Sequence, residues 1–199
     1  RQRQMCIRDS SHMKDIFLLC ISLSPTQEAK LMEVQRSCFS LYHHPSSYAL
    51  PPILPVASFQ SLEEARREWK TNTLLKDWKP FVLSNLFRAG NFLTAGPTPL
   101  LENRSTHGDL LPGGGTIAPN DPRSQSVPSS GLGAFPYLGG FYLSEIDTLS
   151  PLAPFEGFPR IPVRVVRFQV LRITSNDPYG KWWRGIEWTL EEEKWIKLG

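Results

Sequence analysis

The sequence predicts a single α+β domain, and three observations support this. Residues 13–59 have the pattern of a strand, a helix and a second strand. Residues 61–71 form a second helical pattern, and two strand-like runs lie near the C-terminus, over residues 161–173 and 182–190. A chain of 199 residues is long enough to bury one hydrophobic core, so we expect one domain.

The first strand is predicted over residues 16–24, IFLLCISLS. This unbroken apolar run is too short to cross a bilayer and is rich in residues that suit a buried strand. A secretory signal is the alternative interpretation. Asp15 interrupts the basic region that such a signal needs, and no small-residue cleavage pattern follows, so we favour the strand.

The first helix follows this strand at once. The Ser24 hydroxyl is predicted to cap it, Pro25 suits the first helical position, and Gln27 completes a capping box. Helical spacing then predicts one apolar face. Its members are Leu31, Val34, Cys38 and Leu41, with Met32 and Phe39 at the margins.

A second strand and a second helix complete the first half. Pro51 and Pro52 favour an extended backbone before the strand predicted over residues 53–59. Ser61 and Glu64 form another capping box, which begins a helix that continues to about Thr71. The apolar face of this helix is predicted to consist of Leu62, Ala65 and Trp69.

This order of elements resembles the first half of the two-histidine (2H) phosphoesterase superfamily, which includes the bacterial RNA 2′,3′-cyclic phosphodiesterases, also termed 2′-5′ RNA ligases. In that family a strand that begins with Pro-Pro commonly continues His-x-Thr. The histidine acts as acid or base on a cyclic phosphodiester, and the hydroxyl binds a phosphate oxygen. Here Ile53 stands at the histidine position and Pro55 at the threonine position. Neither side chain can exchange a proton or donate a hydrogen bond, so the resemblance implies a degenerate half-site.

The later part of the chain is similar to the same family in two further regions. Residues 79–92 resemble a strand that ends in a Gly-x-Phe turn, although residues 131–136 match that turn equally well. If residues 135–143 form the second catalytic strand, Tyr137 replaces its histidine and Gly139 its hydroxyl residue. The runs at 161–173 and 182–190 resemble the closing hairpin. The resemblance implies two antiparallel sheets with flanking helices around a central cleft.

Two segments differ in character from the rest. Glycine, proline and serine make up 18 of the 41 residues in 94–134, and we predict a long flexible insertion there. No Lys-Ser/Thr pair follows the glycines at 113–115, which argues against a phosphate-binding loop. Residues 5–10 back-translate to DNA that resembles the transposon adapter end of sequencing libraries. We therefore interpret residues 1–12 as an artefact and place the domain at 13–199.

The histidines and cysteines give little indication of a catalytic or metal-binding site. His43 and His44 adjoin Pro45 in a predicted surface loop, without acidic or cysteine neighbours at metal-binding spacing. We expect no metal and no cofactor, and a catalytic role for either histidine would require this loop to fold over the cleft. Cys20 and Cys38 both lie on predicted buried faces, which favours a reducing compartment and a cytoplasmic location.

The C-terminal region contains the best candidate ligand-binding residues. The chain has 22 basic and 19 acidic residues, a balance that permits an anionic partner. Arginine and tryptophan could hold the phosphates and bases of RNA or a nucleotide, although packing is the alternative. The candidates are Arg164, Arg167, Arg172, Trp182 and Trp183. Strand alternation places Arg167 beside Gln169, and Arg164 with Arg172 on the opposite face unless a bulge intervenes.

These observations favour a non-catalytic 2H phosphoesterase-like domain that acts in binding or scaffolding, with RNA or a nucleotide as the candidate partner and no membrane partner. One alternative is an active RNA cyclic phosphodiesterase or ligase whose catalytic residues lie elsewhere. The other is a structural protein without a ligand. Paired hydrophilic residues in the cleft would favour the enzyme, whereas an apolar cleft containing Ile53 and Tyr137 would favour the other two.

Overall fold

A computed structural model describes residues 14–97, 138–147, 157–177 and 180–199. The α-helices there are α1 (Pro25–Tyr42) and α2 (Leu62–Thr71), and two 3-10 helices span Pro45–Tyr48 and Leu74–Asp77. The strands are β1 (Lys14–Leu23), β2 (Ile53–Phe59), β3 (Phe81–Ala89), β4 (Phe92–Pro97), β5 (Phe141–Glu145), β6 (Ile161–Val163), β7 (Val165–Ser175) and β8 (Glu187–Lys197). The bounds predicted for β2 are confirmed, and the prediction for α2 agrees with its observed end.

The strands form two four-stranded antiparallel sheets, which confirms the α+β class. Sheet A has the order β2-β1-β7-β8, and sheet B has the order β5-β4-β3-β6. Strand β2 at the edge of sheet A lies beside β5 at the edge of sheet B. The line along which these two edge strands meet is termed the seam.

The strand predicted over residues 161–173 is in fact two strands, and this prediction was wrong. Strand β6 pairs with β3 in sheet B, whereas β7 pairs with β1 and β8 in sheet A. Arg164 lies between them at a bend. Pro162, which has no amide hydrogen, suits the short edge strand β6. The strand-like pattern over residues 161–173 therefore gave no sign of the crossing from one sheet to the other.

The closing hairpin forms between β7 and β8, but β8 begins later than predicted, at Glu187. Trp182 and Trp183 lie in the turn region before it. Gly185 in that region has a φ of +64°, a left-handed conformation that favours glycine. The turn therefore occupies the residues that the aromatic content had assigned to the strand.

Helix α1 begins at Pro25 as predicted, but the predicted capping box is absent. The Ser24 hydroxyl donates to Gln27 Oε1 at 3.1 Å, and the Ser24 carbonyl oxygen accepts from the amides of Gln27 and Glu28. Gln27 Nε2 instead donates to the carbonyl oxygen of Pro162. The side chain expected to cap the helix thus links it to strand β6.

The apolar face of α1 is confirmed at Leu31, Val34 and Cys38, which are buried. The prediction for Leu41 was wrong, since 48% of this residue is exposed. Tyr42 packs against the core in its place. The i, i+4 spacing from Cys38 selects Tyr42, so the buried face turns slightly away from Leu41 in the last turn.

Helix α2 forms as predicted and Ser61 caps it, but the predicted capping box with Glu64 does not form. The Ser61 hydroxyl accepts from the amide of Glu63 at 3.2 Å and so caps the helix. Ala65 is fully buried, and Leu62 and Trp69 pack against the same core. This face lies against β1, β2 and β7 of sheet A.

The side chains of β1 alternate between two apolar clusters, as expected for a strand buried on both faces. The larger cluster contains Phe17, Leu19, Ile21 and Leu23. The smaller one contains Ile16, Leu18 and Cys20, together with Ile53, Tyr142 and Trp182. Strand β1 is therefore covered on both faces, and buried polar residues beside it must find partners inside the fold.

The boundary predicted for the insertion was wrong at its start. Residues 94–97 continue strand β4, and Thr94 and Ala95 are fully buried. Residues 98–134 lie outside the described ranges, as do residues 1–12 and the second Gly-x-Phe match at 131–136. Within the described ranges, no helix combines the length and apolar character needed to cross a lipid bilayer.

Candidate functional site

The first predicted half-site lies on β2 and is buried. Ile53 lies opposite Ser22 of β1, and Pro55 lies opposite Cys20. Ile53 is fully buried in the smaller cluster, and Pro55 is buried as well. These two positions therefore present an apolar surface and supply no group that could transfer a proton.

The second predicted half-site is described only in part. Tyr137 lies outside the described ranges, whereas Gly139 lies in the turn before β5 with a φ of +64°. A Cβ atom on the adjacent Gly140 would lie 2.8 Å from the Ala95 carbonyl oxygen and 2.7 Å from the Phe87 ring. The left-handed backbone favours glycine at 139, whereas the close approach of Ala95 and Phe87 leaves no room for a side chain at 140.

A cavity of about 310 Å³ lies at the seam and is termed the seam pocket. The described residues that line it are Leu54, Asp77, Trp78, Lys79, Pro80, Phe81, Ala95, Gly139, Gly140 and Phe141. The rings of Trp78 and Phe81 meet edge to face, with 5.8 Å between their centroids. Leu54 thus lines this cavity in place of Ile53, and the only ionisable side chains in the described lining belong to Asp77 and Lys79.

Arg167 is held by internal partners. Its Nε donates to the carbonyl oxygen of Leu23 at 2.7 Å, and its guanidinium forms ion pairs with Glu28 and Glu193. Burial raises the pKa of Glu28, and the nearby charge of Arg167 opposes that increase. The Arg167 guanidinium, a candidate for phosphate binding, is therefore already bound to two carboxylates and a carbonyl oxygen.

Gln169 extends this polar network, and its predicted position on the same face as Arg167 is confirmed. Its Oε1 accepts from the Ser22 hydroxyl at 2.6 Å, and its Nε2 donates to Glu193 at 2.6 Å. Cys20 lies opposite Gln169 and is fully buried, and burial raises the pKa of its thiol. The polar side chains of Ser22, Arg167 and Gln169 on this side of sheet A therefore form hydrogen bonds with other residues of the chain.

The other two candidate arginines lie elsewhere. Arg172 donates to Asp15 from both Nε and Nη2, and these hydrogen bonds lower the pKa of Asp15. Arg164 is exposed at the bend between β6 and β7 and forms no ion pair with a described residue. The three arginines therefore do not line one cleft.

The two candidate tryptophans have different roles. Trp182 is fully buried, and its Nε1 donates to Glu145 at 2.9 Å, so it is a core residue and was wrongly included among candidate ligand contacts. Trp183 is partly buried and packs edge to face on His44, with 4.6 Å between the ring centroids. Of these two candidates, Trp183 is therefore the one that a ligand could reach.

The adjacent histidines lie between α1 and the short 3-10 helix at Pro45–Tyr48. His43 ends α1 with a φ of 52°, and its amide donates to the Phe39 carbonyl oxygen. His44 Nδ1 lies 2.8 Å from the Ser46 hydroxyl, and burial lowers the pKa of the His44 imidazole. Ser46 is fully buried and cannot meet a substrate, so this pair does not form a nucleophilic site.

A buried polar cluster beside His44 was not predicted. The Ser46 hydroxyl accepts from the Glu145 amide, the Tyr142 hydroxyl donates to the Ser46 carbonyl oxygen, and the Ser47 hydroxyl donates to that of Ser144, each at 2.7 Å. Burial raises the pKa of Glu145. Ser144 and Glu145 within a buried strand were a signal that polar partners exist, but the partners lie far away in sequence.

No metal site forms among residues 14–97, 138–147, 157–177 and 180–199. Cys20 and Cys38 are both free and buried, as predicted, and burial raises the pKa of Cys38 to about 12. These thiols are inert at neutral pH because they remain protonated.

No protein-family profile, curated protein or solved structure matches this chain.

Proposed function

We propose that this chain is a non-catalytic binding domain of 2H phosphoesterase-like plan, and that the seam pocket is its ligand site. The observation that supports the proposal is an apolar cavity beside β2, the strand on which the resemblance predicts an acid or base. The cavity volume of about 310 Å³ lies within the range of small-molecule sites, which are mostly apolar with few polar groups. Ile53 and Pro55 supply no group for acid–base catalysis.

The lining of the seam pocket indicates the class of ligand. Trp78, Phe81 and Phe141 present aromatic surface that favours a flat apolar group. Asp77 and Lys79 add one charge of each sign, so a ligand with a polar end can be oriented. A fused aromatic ring that carries one polar substituent meets both conditions.

Calorimetric titration with indole and naphthol derivatives tests this proposal. Leu54→Trp should fill the pocket and abolish binding, whereas Leu41→Trp makes the same change on the exposed side of α1 and should have no effect. Equal binding by both variants, or no binding by the unmodified protein, would contradict the proposal. The second result would favour the structural alternative.

The enzyme alternative predicts turnover. A general acid and a general base each contribute on the order of a hundredfold or more, so we expect no opening of 2′,3′-cyclic phosphate ends of RNA. Turnover that is lost in His43→Ala or His44→Ala would establish the alternative.

A second candidate function, nucleotide binding, is favoured by one observation. A surface pocket of about 400 Å³ contains Arg164 and Trp195, and 55% of Trp195 is exposed. A base could stack on this ring while Arg164 holds the phosphate. Adenosine monophosphate should then bind less tightly as salt increases and should not bind to Arg164→Ala, with Arg184→Ala as the exposed control. Salt-independent binding would contradict this candidate.

A further inference from the structure

Strand β8 forms an open edge of sheet A. Among the described residues it pairs only with β7, over Glu187–Lys197. Alternate backbone amide and carbonyl groups of such a strand point away from the sheet and can form hydrogen bonds with an added strand. This edge is therefore a template for an extended segment.

The two faces of β8 next to this edge have different chemistry. Trp188 and Leu190 share one face, opposite Ile173 and Leu171, and are 44% and 48% exposed. A surface pocket beside Trp188 has a mixed polar and apolar lining, which in the described residues is Pro45, Tyr48, Ala49, Trp183, Ile186, Glu187, Trp188 and Thr189. The exposed Trp188 and Leu190 side chains are available to contact the apolar side chains of an added strand.

The charge on the first half of the strand, over residues 187–191, is acidic, whereas Lys194 and Lys197 lie in the second half. Glu192 pairs with Arg66, and Glu193 pairs with Arg167. Glu187 and Glu191 form no ion pair with a described residue. Glu191 lies near Arg172, but Arg172 is already bound to Asp15, so the local balance stays negative.

From these observations we infer that the β8 edge binds an extended segment of a partner protein in which basic and apolar residues alternate. The apolar side chains of the segment contact Trp188 and Leu190, and its basic side chains face Glu187 and Glu191. Main-chain hydrogen bonds supply affinity, as in other cases of strand addition. This inference is independent of the seam pocket.

A second copy of this chain fits the edge less well. Antiparallel pairing of two β8 strands centred on Glu192 places Glu191 opposite Glu193 of the other copy, and like charges that face each other are destabilising. The register shift between Val170 and Leu171 leaves Glu191 without a residue opposite it on β7, and this irregularity affects a second copy and a partner segment alike. Charges protect edges against self-pairing, whereas a basic segment turns the same charges into an attraction.

The test is fluorescence anisotropy of a short labelled peptide of alternating lysine and valine with the full chain. A matched glutamate–valine peptide and a lysine–valine peptide with N-methylated valines are the peptide controls. The lysine–valine peptide should bind, and both control peptides should bind at least about tenfold more weakly. Binding that resists N-methylation would overturn the inference, because strand addition requires the peptide backbone.

Protein variants locate the contact. Glu187→Lys with Glu191→Lys, and separately Trp188→Ala with Leu190→Ala, should each weaken peptide binding by about tenfold or more, the change that 1.4 kcal/mol produces. Glu63→Lys with Glu64→Lys makes the same charge change on exposed α2 positions and should have little effect. Unchanged affinity in the β8 variants, or sedimentation that shows self-association through β8, would refute the inference.

Discussion

The seam pocket and the polar network around Arg167 both lie near positions where the sequence predicted chemistry, but they differ in what they leave for a ligand. Arg167, Gln169 and Glu193 bind one another, and their hydrogen-bonding groups are occupied. The seam pocket has a mostly apolar lining and a volume of about 310 Å³. Charged residues in a sequence therefore do not identify a binding site when folding pairs them with one another.

The largest expected effect comes from the polar network. Arg167→Ala removes the partner of Glu28, a partly buried carboxylate, and should lower the free energy of unfolding by about 3 kcal/mol, as measured in urea. Adding Glu28→Gln should recover part of the loss. Arg66→Ala removes a more exposed ion pair and should cost less than about 1 kcal/mol. Equal losses for the two single variants would contradict this description of the network.

A smaller effect is expected at the seam pocket. Gly140→Ala places a Cβ atom 2.8 Å from the Ala95 carbonyl oxygen, and a backbone atom cannot move away easily. We expect a loss of about 1–3 kcal/mol in thermal or urea unfolding, together with weaker ligand binding. Gly90→Ala is the control, since it meets only open space and should cost about 1 kcal/mol through its φ of +59°. Normal ligand binding by Gly140→Ala would argue against the seam pocket as the site.

The buried polar cluster should make stability depend on pH. Burial raises the pKa of Glu145 above its usual 4.5, so the folded protein holds this proton more tightly. Its contribution to stability is complete below pH 4.5 and is lost as the pH rises through the folded value. The slope from this one group is at most about 1.4 kcal/mol per pH unit, and Glu145→Gln should remove it.

Asp15 is the control, because its contribution to stability changes with pH in the direction opposite to that of Glu145. Hydrogen bonds from Arg172 lower the pKa of Asp15 below its usual 3.8, so its contribution is present above pH 3.8 and is lost as the pH falls through the folded value. Asp15→Asn should therefore alter only the acidic limb of the stability curve. A Glu145→Gln variant with an unchanged slope above pH 4.5 would show that the folded protein does not raise the pKa of Glu145.

The smallest expected effect is at the exposed residues. Arg164→Ala should change the free energy of unfolding by no more than about 0.5 kcal/mol, because the side chain is exposed and has no ionic partner among the described residues. Urea unfolding beside Arg167→Ala measures the contrast directly. A loss comparable to that of Arg167→Ala would mean that Arg164 has a structural role.

The sequence predicted local structure better than it predicted contacts. The pattern of β2, the cap at Ser61 and the buried face of α1 up to Cys38 depend on near neighbours and are confirmed. The division of residues 161–175 between two sheets depends on pairing with β3 and β1, which no local pattern encodes.

At the candidate functional site, too, residue types could be interpreted from the sequence but long-range contacts could not. The absence of acid–base groups at Ile53 and Pro55 could be read from residue type alone. The pairing of Arg167 with Glu28 and Glu193, and the contact of Trp182 with Glu145, join residues distant in sequence and become visible only in the fold. The seam pocket likewise combines β2, β3, β4 and β5.

Amide chemical-shift mapping during titration with a naphthol tests whether the seam pocket binds a ligand. We expect saturable shifts at Leu54, Ala95, Gly139, Gly140 and Phe141, and their loss in Leu54→Trp. Shifts centred on Trp183 and Trp188, with none at Leu54 or Gly140, would contradict this expectation and would place ligand binding outside the seam pocket.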